Sequence, residues 1–258
     1  MIARAGKAAQ ARTREAGFVT PLAGGVAAFA EDGSPVNKVA GLGFEGVPGE
    51  DVLDGIERAF AERASPVQVE LSNLADPEIG ALLTARGYRL VSFENVLGLA
   101  IDRAPEPVTA PGIEVRRSGE DEFQAWHQVV ADGFAHPDEQ GVPSHEEFPD
   151  EVIERAERDM EAAGGVRYVA LCDGVVAGGA GLRISEGVAQ MTGAATAPAY
   201  RRRGIQTALL AIRLADAAAA GCDIAVITTQ PGSKSQQNVQ RRGFELLYTR
   251  AILVKDPS

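Results

Sequence analysis

Apolar residues along the chain keep two spacings: about 3.6 residues, which builds a helix face, and two residues, which builds a strand face. The helical spacing sets Leu53, Ile56 and Phe60 on one side of 50–63. It sets Ile79, Leu82 and Leu83 on one side of the stretch opened by Asp76-Pro77 and closed by Gly87. Aspartate then proline supplies an N-cap and a first-turn residue, and glycine tolerates the left-handed turn that ends a helix. Further along, Phe123, Trp126, Val130 and Phe134 share a face. Ile153, Ala156 and Met160 share another over 150–163, which Gly164-Gly165 stops. Ile205, Ala208, Leu209 and Ile212 share a third. Runs at 26–29, 38–43, 67–71, 113–117, 168–172, 175–184, 188–196, 223–228 and 244–254 read as strands. Asp32-Gly33, Asp173-Gly174 and Ser185-Glu186-Gly187 are turns between neighbours. A short polar helix is expected at 235–242. The basic, alanine-rich first 16 residues read as an N-terminal helix, since the apolar core of a secretory leader is absent.

The pattern repeats. RGYRLVSFENVL at 86–97 and RGFELLYTRAIL at 242–253 align Gly87 with Gly243, an offset of 243 − 87 = 156. In both, glycine closes a helix and an aromatic residue opens an alternating strand. Pro105, Pro107 and Pro111 crowd RAPEPVTAPG (103–112), a density that no helix or central strand tolerates. The expected architecture is α/β, of the mixed α+β kind: two tandem units, each a mostly antiparallel mixed sheet flanked by helices. The expected boundaries are 1–104, a linker at 105–112, and 113–258.

Composition narrows the function. The formal charge of −11 argues against nucleic-acid binding, which needs a basic face. No apolar run reaches the roughly 18 residues of a transmembrane helix, so no membrane partner is expected. Cys172 and Cys222 form no Cys-x-x-Cys pair and are expected as buried, reduced thiols of a cytoplasmic monomer or homodimer.

Against that acidic background one stretch is locally basic. TGAATAPAYRRRGIQTALL (192–210) reads as the end of a strand, a Pro-marked turn, three arginines, Gly204 and the start of an apolar-faced helix. A helix N-terminus offers unpaired N–H groups and a positive dipole end, and glycine allows a ligand close to the backbone. The turn therefore suits a phosphorylated ligand. An accidental surface cluster is the alternative reading of this stretch when it is taken alone. No Gly-Lys-Ser/Thr follows, so it is not a P-loop, and the further glycines of a dinucleotide fingerprint are missing.

Taken with the order of elements around it, PAYRRRGI (198–205) between strand and helix resembles the signature of the GNAT N-acetyltransferase superfamily. The helix ending in Gly243-Phe244 and the last strand fit the same pattern. The resemblance covers 113–255. The N-terminal unit looks like a degenerate copy, with the acidic loop GLGFEGVPGED (41–51) where the arginine turn would stand. The resemblance implies acetyl-CoA as co-substrate and no metal. Its pyrophosphate would lie on Arg201, Arg202, Arg203, Gly204, Ile205, Gln206 and Thr207. Its pantetheine arm would run beside Gly193, Ala194, Ala195 and Thr196 as an added strand. Gln206 departs from the Gly or Ala of the signature, and is tolerable there if its side chain turns from the phosphates.

Acetyl transfer needs a neutral amine to attack the thioester carbonyl, a path for the amine proton, and donors for the oxyanion. Relatives in the superfamily carry a Glu where this chain has Gln190 and a Tyr where it has Val239. Ser235, Asn238 and Tyr248 are the nearby polar substitutes, with structural readings beside the catalytic one: an N-cap, a solvated helix residue and a packed ring. The expected function is transfer of an acetyl group to a primary amine of a small cationic acceptor. A non-catalytic acyl-CoA sensor, or an interaction protein using the arginine turn, is the alternative. HPDEQGVPSHEE (136–147) has ligand-type side chains but no metal-site spacing, and reads as a solvated loop. The resemblance places its Asp138, Glu139, Glu146 and Glu147 on the acceptor side, with His136 and His145. His127, beside Trp126, reads as structural.

Overall fold

The computed structural model describes residues 2–13, 17–102, 111–137 and 148–257. In chain order the elements begin α1 (Ile2–Thr13), β1 (Phe18–Leu22), β2 (Gly25–Phe29), β3 (Lys38–Leu42), α2 (Glu50–Ala61), β4 (Val67–Ser72), α3 (Pro77–Ala85) and β5 (Arg89–Ala100). They continue β6 (Ile113–Arg117), α4 (Phe123–Ala135), α5 (Asp150–Ala162), β7 (Gly165–Cys172), β8 (Val175–Ser185) and β9 (Val188–Thr196). The last are α6 (Ile205–Ala219), β10 (Ile224–Thr229), α7 (Lys234–Gln240) and β11 (Glu245–Lys255). Most of the proline-rich linker lies outside the described residues.

Of the described residues, those in Met1–Asn95, Val142–Ala163 and Leu247–Ser258 form one compact unit. Those in Val96–Gly141 and Gly164–Leu246 form a second. Each unit thus draws on both halves of the sequence.

In the first unit the strands lie in the order β1-β2-β3-β4-β11-β5. β3 and β4 are parallel, whereas β11 runs antiparallel to β4 from Arg250↔Ser72 to Lys255↔Val67. β1 carries Pro21 and was not expected from the sequence; it sits at an edge, where a missing N–H costs no ladder bond. Phe18, Phe29 and Phe60 pack edge to face or stacked, with centroids 5.2–6.1 Å apart, above a core that includes Leu53, Ile56, Ile79, Leu83 and Leu253. A line of alternating charge crosses the sheet. Lys38 on β3 meets Glu70 on β4 at 3.0 Å, Glu70 meets Arg250 on β11 at 2.6 Å, and Arg250 meets Glu94 on β5 at 2.6 Å.

α5 buries Val152, Ala156 and Asp159, while Ile153 and Met160 are half-buried. The inward face is rotated from the one that the apolar pattern predicts. Asp159 turns in because Arg12 on α1 donates to both its oxygens, at 3.0 and 2.7 Å. Its own desolvation is offset by this two-point pair.

In the second unit the order is β5-β10-β9-β8-β7-β6, with β9 and β10 parallel and β6 through β9 antiparallel. Successive strand residues point to opposite faces. A Cβ on Gly178 would stand 2.7 Å from Ile205 of α6, and one on Gly179 would stand 2.6 Å from Val130 of α4. The two helices therefore cover opposite faces of β8, at distances only glycine permits. α4 buries Phe123, Trp126, His127, Val129 and Val130, with His127 stacked 6.0 Å from Phe123. Phe134, expected on that face, is 58% exposed at the end of the helix. Cys172 and Cys222 are buried and free. Among the described residues no helix is long and apolar enough to cross a membrane.

Candidate functional site

The site is built on one strand-turn-helix of the second unit. β9 and β10 pair from Val188↔Ile224 to Met191↔Ile227. β9 then continues to Thr196 and β10 to Thr229 with no further pairing between them. The parting coincides with a bulge. Thr192 faces Gly181 of β8 but Ala195 faces Gly179, so β9 carries one residue more than its partner over this step. Gly193 takes up the extra residue with φ 54°, a left-handed value that glycine adopts freely. A bulge bends and twists its strand, so the β10 side of 192–196 is left as an open backbone edge. Its side chains are small. α4 closes in on the same strand at Gly133, where a Cβ would stand 2.7 Å from that of Ala195.

Arg213 of α6 reaches the bulge from the helix side. Its Nη1 donates to the carbonyls of Gly181, at 3.0 Å, and Thr192, at 3.4 Å, and its Nε donates to Leu209 at 2.9 Å.

Beyond Thr196 the chain makes a single turn at Pro198–Tyr200 and enters α6. Arg202 has φ 64° and Gly204 φ 90°. Left-handed residues in such a turn make successive N–H groups converge into a nest. Among the described residues no acceptor takes the amides of 202–207, and Gly204 has no capping side chain. The first turn of a helix leaves its amides open, so nest and dipole add.

The side chains of the turn divide. Arg202 and Arg203 are exposed, and Arg203 makes a 3.4 Å pair with Asp173. Arg201 instead donates to the carbonyls of Gly133, at 3.2 Å, and His136, at the end of α4. Gln206 turns back to donate to Thr196 Oγ1 at 3.0 Å, away from the nest. Thr207 Oγ1 accepts from Arg242 at 3.1 Å, which brings another cation to the rim. At the end of β10, Thr229 Oγ1 and Gln230 Oε1 are buried with no hydrogen-bond partner among the described residues. Sequence reasoning missed Arg213, Arg242, Thr229 and Gln230. Only Arg213 left a trace, as a charge four residues after Leu209 on an otherwise apolar face.

Ser235 and Asn238 lie on α7, Ser235 exposed and Asn238 accepting from Arg241 at 3.2 Å. The helix cap is Ser233, two residues before Ser235, and its Oγ accepts the Gln236 amide at 3.1 Å. Tyr248 belongs to the first unit; burial pushes its phenol above the usual range, with Arg250 opposing. Gln190 pairs with Arg183 across β9 and β8, and Val239 is buried. Asp138, Glu139, His145, Glu146 and Glu147 lie outside the described residues; His136 Nδ1 is 2.9 Å from the carbonyl of Asp132.

The corresponding loop of the first unit is occupied by its own chain. β3 and β4 stay paired to Leu42↔Leu71, and the amides of Gly43 and Glu45 both donate to Ala23, at 3.1 and 3.3 Å. Glu50 and Asp51 stand in the first turn of α2, where they repel an anion.

Residues 125–244 match the acetyltransferase (GNAT) family model. No curated protein matches the chain. Among solved structures, a GCN5-related N-acetyltransferase from Kribbella flavida is 21% identical, with a TM-score of 0.68 over 98% of this chain and 96% of its own. One from Sphaerobacter thermophilus is 17% identical, with a TM-score of 0.62 over 91% and 81%. A tandem GNAT protein from the clavulanic acid biosynthesis pathway is 12% identical, with a TM-score of 0.63 over 91% and 79%. At these identities the likeness is one of fold, and it spans nearly the whole chain.

Proposed function

From the premise that residues 125–244 belong to the GNAT acetyltransferase family, we propose that the chain is an acetyl-CoA-dependent N-acetyltransferase acting on a primary amine of a small cationic acceptor. One observation carries the reading: an open amide nest at the head of α6 leads directly into an unpaired strand edge at 192–196. The nest suits the diphosphate of coenzyme A, and the edge suits the amides of its pantetheine arm. Thr229 and Gln230 offer buried polar atoms to the same arm. Arg202, Arg203 and Arg242 add charge at the rim.

In this reading the amine nitrogen attacks the carbonyl carbon of the thioester and forms an oxyanion. The carbon–sulfur bond then breaks, coenzyme A leaves as the thiolate, and the amine proton passes through water to solvent. A thiolate is a tolerable leaving group without a protein acid, which accommodates Gln190 and Val239. Ser235, Asn238 and Tyr248 are the side chains proposed to assist the proton's path. The cationic acceptor is inferred from the acidic residues of 138–147 and the net charge of −11. A family of acetyltransferases supports transfer over a sensing role.

Calorimetry with coenzyme A tests the cradle. Reversing both charges in Arg202→Glu/Arg203→Glu is expected to weaken binding at least about tenfold, about 1.4 kcal/mol. Unchanged affinity would remove the assignment. Release of free thiol from acetyl-CoA across a panel of amines, against hydrolysis alone, tests transfer; S235A, N238A and Y248F belong in the same assay.

A further inference from the structure

Arg213 is 1% exposed, and among the described residues its hydrogen bonds all go to backbone carbonyls, with no carboxylate among them. Burial lowers its pKa to about 10, which still leaves it charged at neutral pH. A buried cation without a partner carboxylate is costly, so its placement calls for a reason. The carbonyls it holds supply one. Gly181 and Thr192 form the first pair in register after the bulge. A register shift takes carbonyls out of the ladder, and the guanidinium is a fork of donors that can gather them. A Cβ on Gly181 would stand 2.4 Å from Thr192 Oγ1, so a larger residue there would force the threonine side chain to move. The peptide bond after Thr192 is trans, so the Gly193 N–H points opposite to the Thr192 carbonyl, away from Arg213.

We propose that Arg213 is a positioning residue: by drawing the carbonyls of Gly181 and Thr192 toward α6 it sets the bulge at Gly193, parts β9 from β10, and presents the Gly193 amide and the 192–196 edge to the acyl-carrier arm. The structural half concerns the chain alone. The half about the arm rests on the acetyl-CoA reading above.

The experiment has two arms. Crystal structures of the ligand-free wild type and Arg213→Met are compared first. With the donors gone, Gly193 is expected to leave the left-handed region and the β9–β10 ladder to extend past Met191↔Ile227. A bulge and ladder unchanged in Arg213→Met would overturn the proposal. Arg213→Lys, which keeps a charged donor, is expected to keep the bulge. Should Arg213→Met not fold, Arg213→Gln, neutral and too short to serve both carbonyls, carries the same expectations. Calorimetry then compares coenzyme A with adenosine 3′-phosphate 5′-diphosphate, which fills the cradle but has no arm. Arg213→Met should weaken coenzyme A about tenfold and leave the fragment within about twofold. An equal loss for both ligands would assign Arg213 to general stability and overturn its role toward the arm. A wild type that binds neither ligand would refute the acetyl-CoA reading, while the crystallographic comparison still decides the bulge.

Discussion

Arg202 holds a left-handed backbone with φ 64°, a conformation that disfavours any residue with a Cβ by about 1–2 kcal/mol. Glycine would remove that strain but lose about 0.5–1 kcal/mol to greater freedom when unfolded. Arg202→Gly is therefore expected to keep its unfolding free energy within about 1 kcal/mol of wild type while coenzyme A affinity falls with the lost charge. Melting and calorimetry on the same sample separate the two. Glu70 makes a second case. Burial opposes its ionisation, but Lys38 and Arg250 together prevail and hold its carboxyl below the usual range. A carboxyl depressed in the folded state contributes stability above its unfolded value of about 4.3, and the contribution is lost as pH falls through the folded value. The first unit should thus weaken progressively below about pH 4.3. Glu70→Gln should flatten that acid limb and cost roughly 3–5 kcal/mol at neutral pH, as expected when one member of a buried pair is removed. Urea melts across pH 2–7, roughly the span of carboxyl titration, read both effects. In the sequence, Arg201, Arg202 and Arg203 look alike. What separates them is the carbonyl end of α4, which binds Arg201, and no local pattern announces it.

At the scale of elements, helices and strands were largely legible, because periodicity and turn residues act locally. Asp173 and Gly174 both take positive φ, 52° and 82°, as the hairpin reading of Asp-Gly requires. Packing faces were less so. α5 faces inward through Asp159, a polar residue that the apolar pattern skips, since Arg12 makes its burial tolerable. The bulge in β9 was not legible either, since Gly193 among Ala194 and Ala195 reads only as a small-residue strand. Its neighbours enforce close packing. A Cβ on Gly178 would stand 2.9 Å from the Ala195 carbonyl as well as meeting Ile205. Gly178→Ala is expected to destabilise by about 1–3 kcal/mol through overpacking and to push β9 from α6. A thermal melt and coenzyme A titration should show both losses together; a variant as stable as wild type would contradict that packing.

At the scale of the molecule, the repeat offset of 156 pointed to two units but not to which strand completes which. The two repeated strands share one pattern, so periodicity cannot assign their partners. Charge distinguishes them. The offset takes Glu94 to Arg250 (94 + 156 = 250), and only the arginine can lie beside Glu70 without repulsion. β11 accordingly joins the first unit, and Leu253 enters its core. Residues 1–104 expressed alone would leave β4 without its antiparallel neighbour. They are expected to lack cooperative unfolding by circular dichroism, and peptides covering 148–163 and 247–257 together should restore it. A cooperative transition without the peptides would count against this view of the first unit.

The place of β11 bears on how the polypeptide is born. A ribosome delivers residues 1–95 well before β11, the strand that completes their sheet. The unit begun first must wait, with an exposed edge, until β11 has been made. A premature stop codon shortly before Leu247 would therefore damage the fold of residues 1–95 although it lies far from them in the sequence.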